Sequence, residues 1–211
     1  MDQIMQFLTD VLTALLPYGF GFLLIYLFRN QISKVLLPRV QSVKLGELEI
    51  TFLKDAVKEI AAARGNETLS DEDATGPLLR ANMISPILDG ARLLWIDDKP
   101  DGNARETKLL RKLGVTIDTA VVSQEARQML SRFHYDVIVS DMDREGCPNE
   151  GLMFLESLIG TRLFRYTIFY VGRVDENKPI PRGAFNITSQ PDKLLHLIMD
   201  ALERERWQIV Q

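Results

Sequence analysis

Three aspartates stand where an apolar run of strand length stops. Asp97 and Asp98 follow Arg92-Leu-Leu-Trp-Ile96, and Asp141 follows Tyr135-Asp-Val-Ile-Val-Ser140. A single aspartate at a strand end is commonly a helix cap. Three that converge repel one another unless a cation lies among them. Hard oxygen ligands, completed by water, suit Mg²⁺. The chemistry expected here is therefore divalent-cation binding, provided that the fold brings the three groups together.

The elements around them are regular. Arg92–Ile96, Val115–Val122, Tyr135–Ser140, Tyr166–Val171 and Phe185–Thr188 read as five strands, and helical spacing fills the intervals. Ser123 is placed to cap one helix, and Pro191 opens the last, which runs to about Arg206. Strands alternating with helices imply a parallel sheet covered on both faces, with ligands at the carboxyl ends of its strands. The fold class predicted is α/β: a flavodoxin-like, doubly wound, five-stranded parallel sheet. In its common order, 2-1-3-4-5, the first and third strands are neighbours. Asp97, Asp98 and Asp141 then share one acidic pocket.

Composition narrows the function. The chain of 211 residues has a net charge of −4, with 46% hydrophobic and 26% charged residues, so it is globular and carries no excess of basic charge for nucleic acid. A lone Cys147 excludes an internal disulfide and a cysteine-based zinc cluster, and His134 and His196 supply a histidine metal site poorly.

The run Leu-Leu-Trp-Ile-Asp-Asp-Lys-Pro, then Asp-Val-Ile-Val-Ser-Asp141, then Gly183-Ala184 and Gln190-Pro191, resembles the receiver domain of two-component response regulators. The resemblance covers roughly Arg92 to Arg206. It implies that Asp141 is the phosphoacceptor, and that Asp98, Asp141 and the backbone carbonyl of Asp143 hold Mg²⁺, with Asp97 assisting. Two departures stand beside it. Receivers end the fourth strand in Thr or Ser, where this chain has Val171, which cannot donate a hydroxyl hydrogen bond. They carry Lys before the proline of the last helix, where this chain has Gln190. An ammonium that offsets developing phosphoryl charge is absent there. Arg173–Arg182 is also too short and too rich in proline for a full fourth helix. The resemblance is to a degenerate receiver.

Ahead of this lies Val11–Phe28, eighteen residues without a charge. As a helix it measures roughly 27 Å, close to the ~30 Å bilayer core. Pro17, Gly19 and Gly21 are tolerated in a bilayer-spanning helix. The chain opens Met-Asp-Gln, without the basic start or cleavage site of a signal peptide, so a retained single-pass anchor over residues 1–29 is expected. Arg29, Lys34, Arg39 and Lys44 follow it, which places the C-terminal domain on the cytoplasmic side of a bacterial-type plasma (inner) membrane, with lipid headgroups as further partners.

Residues 30–65 read as a juxtamembrane strand over Val43–Phe52 followed by a helix over Leu53–Arg64. A strand that short must pair with another copy or pack on the C-terminal domain. Residues 66–90, carrying Glu67, Asp71, Glu72 and Asp73, read as an acidic, mostly irregular linker, with Leu78–Leu88 expected to dock on the domain that follows. The receiver-like domain is then 91–211, and a chain starting near Ser85 is expected to close its own core.

Three functions fit this organisation. The first is a membrane-anchored signalling or adaptor module that acts through contact with a protein partner, without regulated phosphorylation or enzymatic turnover. The second is a genuine phosphoacceptor at Asp141. The third, from Asp141-Met-Asp143, is a phosphatase with an aspartate nucleophile and an aspartate acid/base. The loop Arg144–Asn149 adjoins the pocket in any of them. Trp95 and Phe169 are expected in the core, and Trp207 with Ile209 and Val210 makes an apolar tail.

Overall fold

Leu93, Leu94, Trp95 and Ile96 are all buried, as an unbroken apolar run requires of a strand covered on both faces. They form β1 (Arg92–Ile96) in the computed structural model, which describes residues 46–66, 68–144, 146–175 and 177–209. Four further strands follow: β2 (Thr116–Ala120), β3 (Val137–Ser140), β4 (Tyr166–Tyr170) and β5 (Asn186–Thr188). They lie parallel in the order β2-β1-β3-β4-β5, the arrangement expected from the sequence.

Seven α-helices are described, α1 (Glu47–Ala63), α2 (Asp71–Met83), α3 (Ser85–Leu88), α4 (Ala104–Lys112), α5 (Ser123–Arg132), α6 (Glu150–Leu158) and α7 (Pro191–Ile209), with a 3-10 turn at Pro100–Asn103. Two layers enclose the sheet. Leu93, Trp95, Val139 and Ile168 lie in one cluster with α4 and α7 on one face, and α1 and α2 join that cluster by packing on these helices. Leu94, Ile96 and Ile138 pack against α5 and α6 on the other. Ser123 is the first residue of α5 and Val122 occupies the cap, one position from expectation. Between β4 and β5 the described residues contain no helix.

The N-terminal third departs from the sequence reading. The strand expected at Val43–Phe52 is, over its described part, the start of α1. Ile50, Leu53, Val57, Ile60 and Ala61 recur at helical spacing and face the core, whereas Phe52, which a two-residue period would bury, is 74% exposed. The acidic linker is helical too. Ser70 caps α2 by accepting the Asp73 amide at 3.0 Å, and Asp71, Glu72 and Asp73 fill the first turn, where the helix dipole favours negative charge. Asp71 receives Lys54 Nζ at 2.9 Å and also Lys58, which ties α2 to α1.

These helices belong to the same core as the sheet. Leu53, Val57, Ile60, Ala74, Leu78 and Ala81 are buried in the cluster that holds Leu109 and Ile198. The boundary expected at residue 90 is not where packing ends, and a chain starting at Ser85 would leave the α4–α7 face uncovered. The anchor expected over Val11–Phe28, including Pro17, together with Arg29 and Lys34, lies outside the described residues. Among the described residues no helix is long and apolar enough to cross a membrane.

Candidate functional site

β1 and β3 pair with Ile96 opposite Ser140, so the next residues along the two strands are Asp97 and Asp141. Each backbone is fixed at that point: Asp97 N donates to Ala120 O at 3.0 Å and Asp141 N to Ile96 O at 3.0 Å. Asp98 completes the group, and one carboxylate oxygen from each of the three lies within 4.8 Å of the others. The convergence expected from strand order is what the fold produces.

Asp97 is buried, accepting the Lys99 amide on Oδ1 at 2.6 Å and the Asn103 side-chain amide on Oδ2. Asp141 accepts the Met142 amide on Oδ1 at 2.7 Å. Burial pushes its carboxyl above the usual carboxylate range; the Met142 amide opposes this, and the charges of Asp97, Asp143 and Asp98 add to it. An all-oxygen set whose members repel one another is the donor chemistry of a hard divalent cation, and Mg²⁺ fits it. Asp97, Asp98 and Asp141 would hold the ion, which would relieve that repulsion.

The loop after Asp141 is tightly built. Asp143 is exposed and accepts the Asn149 amide on Oδ1 at 2.8 Å, while Asn149 takes a left-handed backbone with φ 62°. Gly151 N donates to Met142 O at 2.8 Å, and a Cβ on Gly151 would stand 2.3 Å from the Asp141 carbonyl oxygen. Only glycine lets α6 start this close to the acidic strand end. Arg144 is fully buried; its Nη2 donates to Ser123 Oγ at 3.1 Å, and its guanidinium lies 5.7 Å from the Phe154 ring centre. These contacts lead toward α5 and α6. Cys147 is exposed and free.

The two departures from a receiver pattern occupy structural positions at the same end. Val171 is buried after β4, its N donating to Thr188 O at 3.0 Å, and it presents no hydroxyl. Gln190 caps α7 through its carbonyl, which accepts the Leu194 amide at 2.9 Å, and offers an amide side chain in place of an ammonium. Among the described residues no helix lies between β4 and β5, and a cleft of about 680 Å³ opens beside Asp141, lined by Leu152, Val171, Ile187, Arg173 and Lys178. Trp95 and Phe169 are in the core, and Trp207 is 72% exposed.

Sequence reading missed a polar network under the acidic site. Arg64, at the end of α1, pairs through Nε with Glu106 Oε1 at 2.9 Å and through Nη2 with Asn103 Oδ1 at 2.5 Å. Its guanidinium lies 3.8 Å from the Tyr170 ring centre, and the Tyr170 hydroxyl donates to the same Glu106 oxygen at 3.0 Å. Burial, and next the Glu106 charge, push the Tyr170 hydroxyl far above its ordinary pKa. Nothing in the run Ala61-Ala-Ala-Arg64 marks that arginine for such a role.

Sheet order and layering define a doubly wound, flavodoxin-like α/β fold, with three carboxylates at the ends of its strands. Among solved structures, the signal receiver domain of an HD domain-containing protein from Pseudomonas fluorescens Pf-5 matches with a TM-score of 0.50 at 23% identity, over 57% of this chain and 93% of that one. A response regulator receiver domain from Clostridium thermocellum matches with a TM-score of 0.49 at 23% identity, over 56% and 98%. Response regulator protein TrrA from Thermotoga maritima, in complex with Mg²⁺ and BeF, matches with a TM-score of 0.46 at 20% identity, over 53% and 98%. The likeness is one of fold. No protein-family model and no curated protein matches the sequence.

Proposed function

We propose that this chain is a membrane-anchored, receiver-like signalling or adaptor module. It acts through contact with a protein partner and binds Mg²⁺ at Asp97, Asp98 and Asp141, without regulated phosphoryl transfer or enzymatic turnover. The observation that carries this reading is the combination at one end of the sheet. The three carboxylates converge within 4.8 Å, while Val171 and Gln190 stand where a hydroxyl and an ammonium would grip a phosphoryl group. Phosphoryl transfer depends almost entirely on positioning and charge stabilisation, and neither side chain supplies the missing contact. The anchor at Val11–Phe28 would concentrate the module near partners in the same membrane.

A second reading, Asp141 as a true phosphoacceptor, is favoured by one feature: Asp141 is half-buried and lines the open cleft, so a small phosphodonor can reach it. One experiment separates the two. The full chain in a bilayer is incubated with Mg²⁺ and acetyl phosphate, and Asp141 is examined by mass spectrometry. The adaptor reading expects no durable acyl phosphate, near-normal partner recovery for Asp141→Asn, and severe loss on removal of residues 1–28. Accumulated phospho-Asp141, with Asp141→Asn as damaging as loss of the anchor, establishes the second reading instead. Turnover of a generic phosphomonoester would point to the phosphatase alternative at Asp141 and Asp143.

A further inference from the structure

The loop that leaves β1 is fastened from outside the five-stranded unit. Asp97 and Asn103 are both buried, and the Asn103 amide donates to Asp97 Oδ2. The Asn103 oxygen accepts Arg64 Nη2 at 2.5 Å. A guanidinium is a donor only, so it meets the oxygen of the asparagine and turns the NH₂ away from itself, toward Asp97. Asp97, an acceptor only, selects the same orientation, so the amide is held at both ends, and without Arg64 its oxygen end is untied and its NH₂ contact to Asp97 loosens.

The arginine is held on three further sides. Its Nε pairs with buried Glu106 at 2.9 Å, its Nη1 reaches Val171 O at 3.4 Å, and its plane covers the Tyr170 ring. It thus spans from the loop after β1 to the end of β4. The strand between those two is β3, which Asp141 follows.

We propose that Arg64 is a positioning residue of the cation site: through Asn103 it orients Asp97 toward a divalent cation, and so ties occupancy of the site to the docking of α1. This rests on the reading of Asp97, Asp98 and Asp141 as a Mg²⁺ site. Groups that orient a metal's ligands through a hydrogen bond typically carry tenfold to hundredfold in metal affinity. The coupling is reciprocal: if Arg64 favours the bound cation, the cation favours the Arg64 contact and the helix that bears it by the same factor. Val171 offers no hydroxyl to transmit a change at the site, whereas its carbonyl, Asn103 and Glu106 all lead to α1.

The test measures Mg²⁺ affinity by titration calorimetry on the full chain in a bilayer, with amide hydrogen exchange over Glu47–Ala63 as a second readout. Arg64→Met is combined with Glu106→Gln, so that no buried carboxylate is left without its cation. The expected result is a roughly tenfold weaker Mg²⁺ affinity in this double variant, no further loss when Asn103→Ala is added, and partial recovery with Arg64→Lys. Mg²⁺ should slow exchange in α1 of the unaltered chain and not in the double variant. Unchanged affinity in a folded double variant, or losses from Arg64 and Asn103 that multiply, overturns the inference while leaving the cation site standing. No Mg²⁺ binding by the unaltered chain overturns the site itself and the inference with it.

Discussion

Arg64 and Glu106 form an ion pair at 2.9 Å in which Glu106 is almost wholly enclosed, its side chain 5% exposed, and the Tyr170 hydroxyl donates to the same carboxylate oxygen. Removing one partner of such a pair strands a buried charge, which costs about 3–5 kcal/mol. Arg64→Ala should therefore lower unfolding stability by about that amount in urea titration, and adding Glu106→Gln should restore a substantial part. An Arg64→Ala chain as stable as the original would show that Glu106 is hydrated.

Asp141 carries a carboxyl whose pKa is raised above its unfolded value, first by burial. The sign follows from linkage: the contribution of Asp141 to stability is fully present below the ordinary carboxylate pKa and is lost as pH rises through the raised value. In the absence of divalent cation, Asp141→Asn should thus raise the melting temperature at pH 7, and the gain should shrink on acidification. A lower melting temperature for Asp141→Asn at pH 7 would mean that its Met142 contact outweighs the repulsion.

Millimolar Mg²⁺ should raise the melting temperature of the unaltered chain, and a chelator should reverse the gain. Because the ion binds ionised carboxylates, the gain should fall as pH drops through the Asp141 range. Asp98→Asn should abolish it. Scanning calorimetry with and without chelator decides the matter; persistence of the gain in Asp98→Asn would place the ion elsewhere.

Gly151 stands where a Cβ would come within 2.3 Å of the Asp141 carbonyl oxygen, a backbone atom that cannot swing aside. Gly151→Ala should cost about 1–3 kcal/mol through overpacking and should also weaken the Mg²⁺ response by shifting Asp141. Gly172→Ala, at a position with nothing within 4 Å, is the matched control and should do neither.

Restoring the two departures tests why Asp141 is expected to stay unphosphorylated. Val171→Thr with Gln190→Lys should increase acetyl phosphate labelling of Asp141, and the double variant should exceed either single one, since each would supply a donor that stabilises charge on the phosphoryl group. Labelling no greater than in the original chain would place the obstacle in the remodelled loop after β4.

By itself, the sequence determined the sheet and the identity of the groups at its carboxyl end. Apolar runs of strand length such as Leu93–Ile96 and Val137–Val139, alternating with helices, point to a parallel sheet covered on both faces, for which 2-1-3-4-5 is a common order. Once that order holds, Asp97, Asp98 and Asp141 must meet, with Val171 beside Asp141 and Gln190 at the same end of the sheet, because each is the residue next to a strand or helix end. The N-terminal third was not legible in this way. Over Leu45–Phe52 a two-residue and a helical period both fit, and only the surface of α4 and α7 selects the helix by burying Leu53, Val57 and Ile60. The docking expected of Leu78–Leu88 is present, but the acidic run at Asp71–Asp73 reads as irregular until Leu78 and Ala81 meet that same surface as one face of a helix. Arg64 was wholly out of reach: its partners Asn103, Glu106 and Val171 lie 39, 42 and 107 residues away. No local pattern encodes a contact of that span. Tertiary packing alone brings that guanidinium beneath the acidic site.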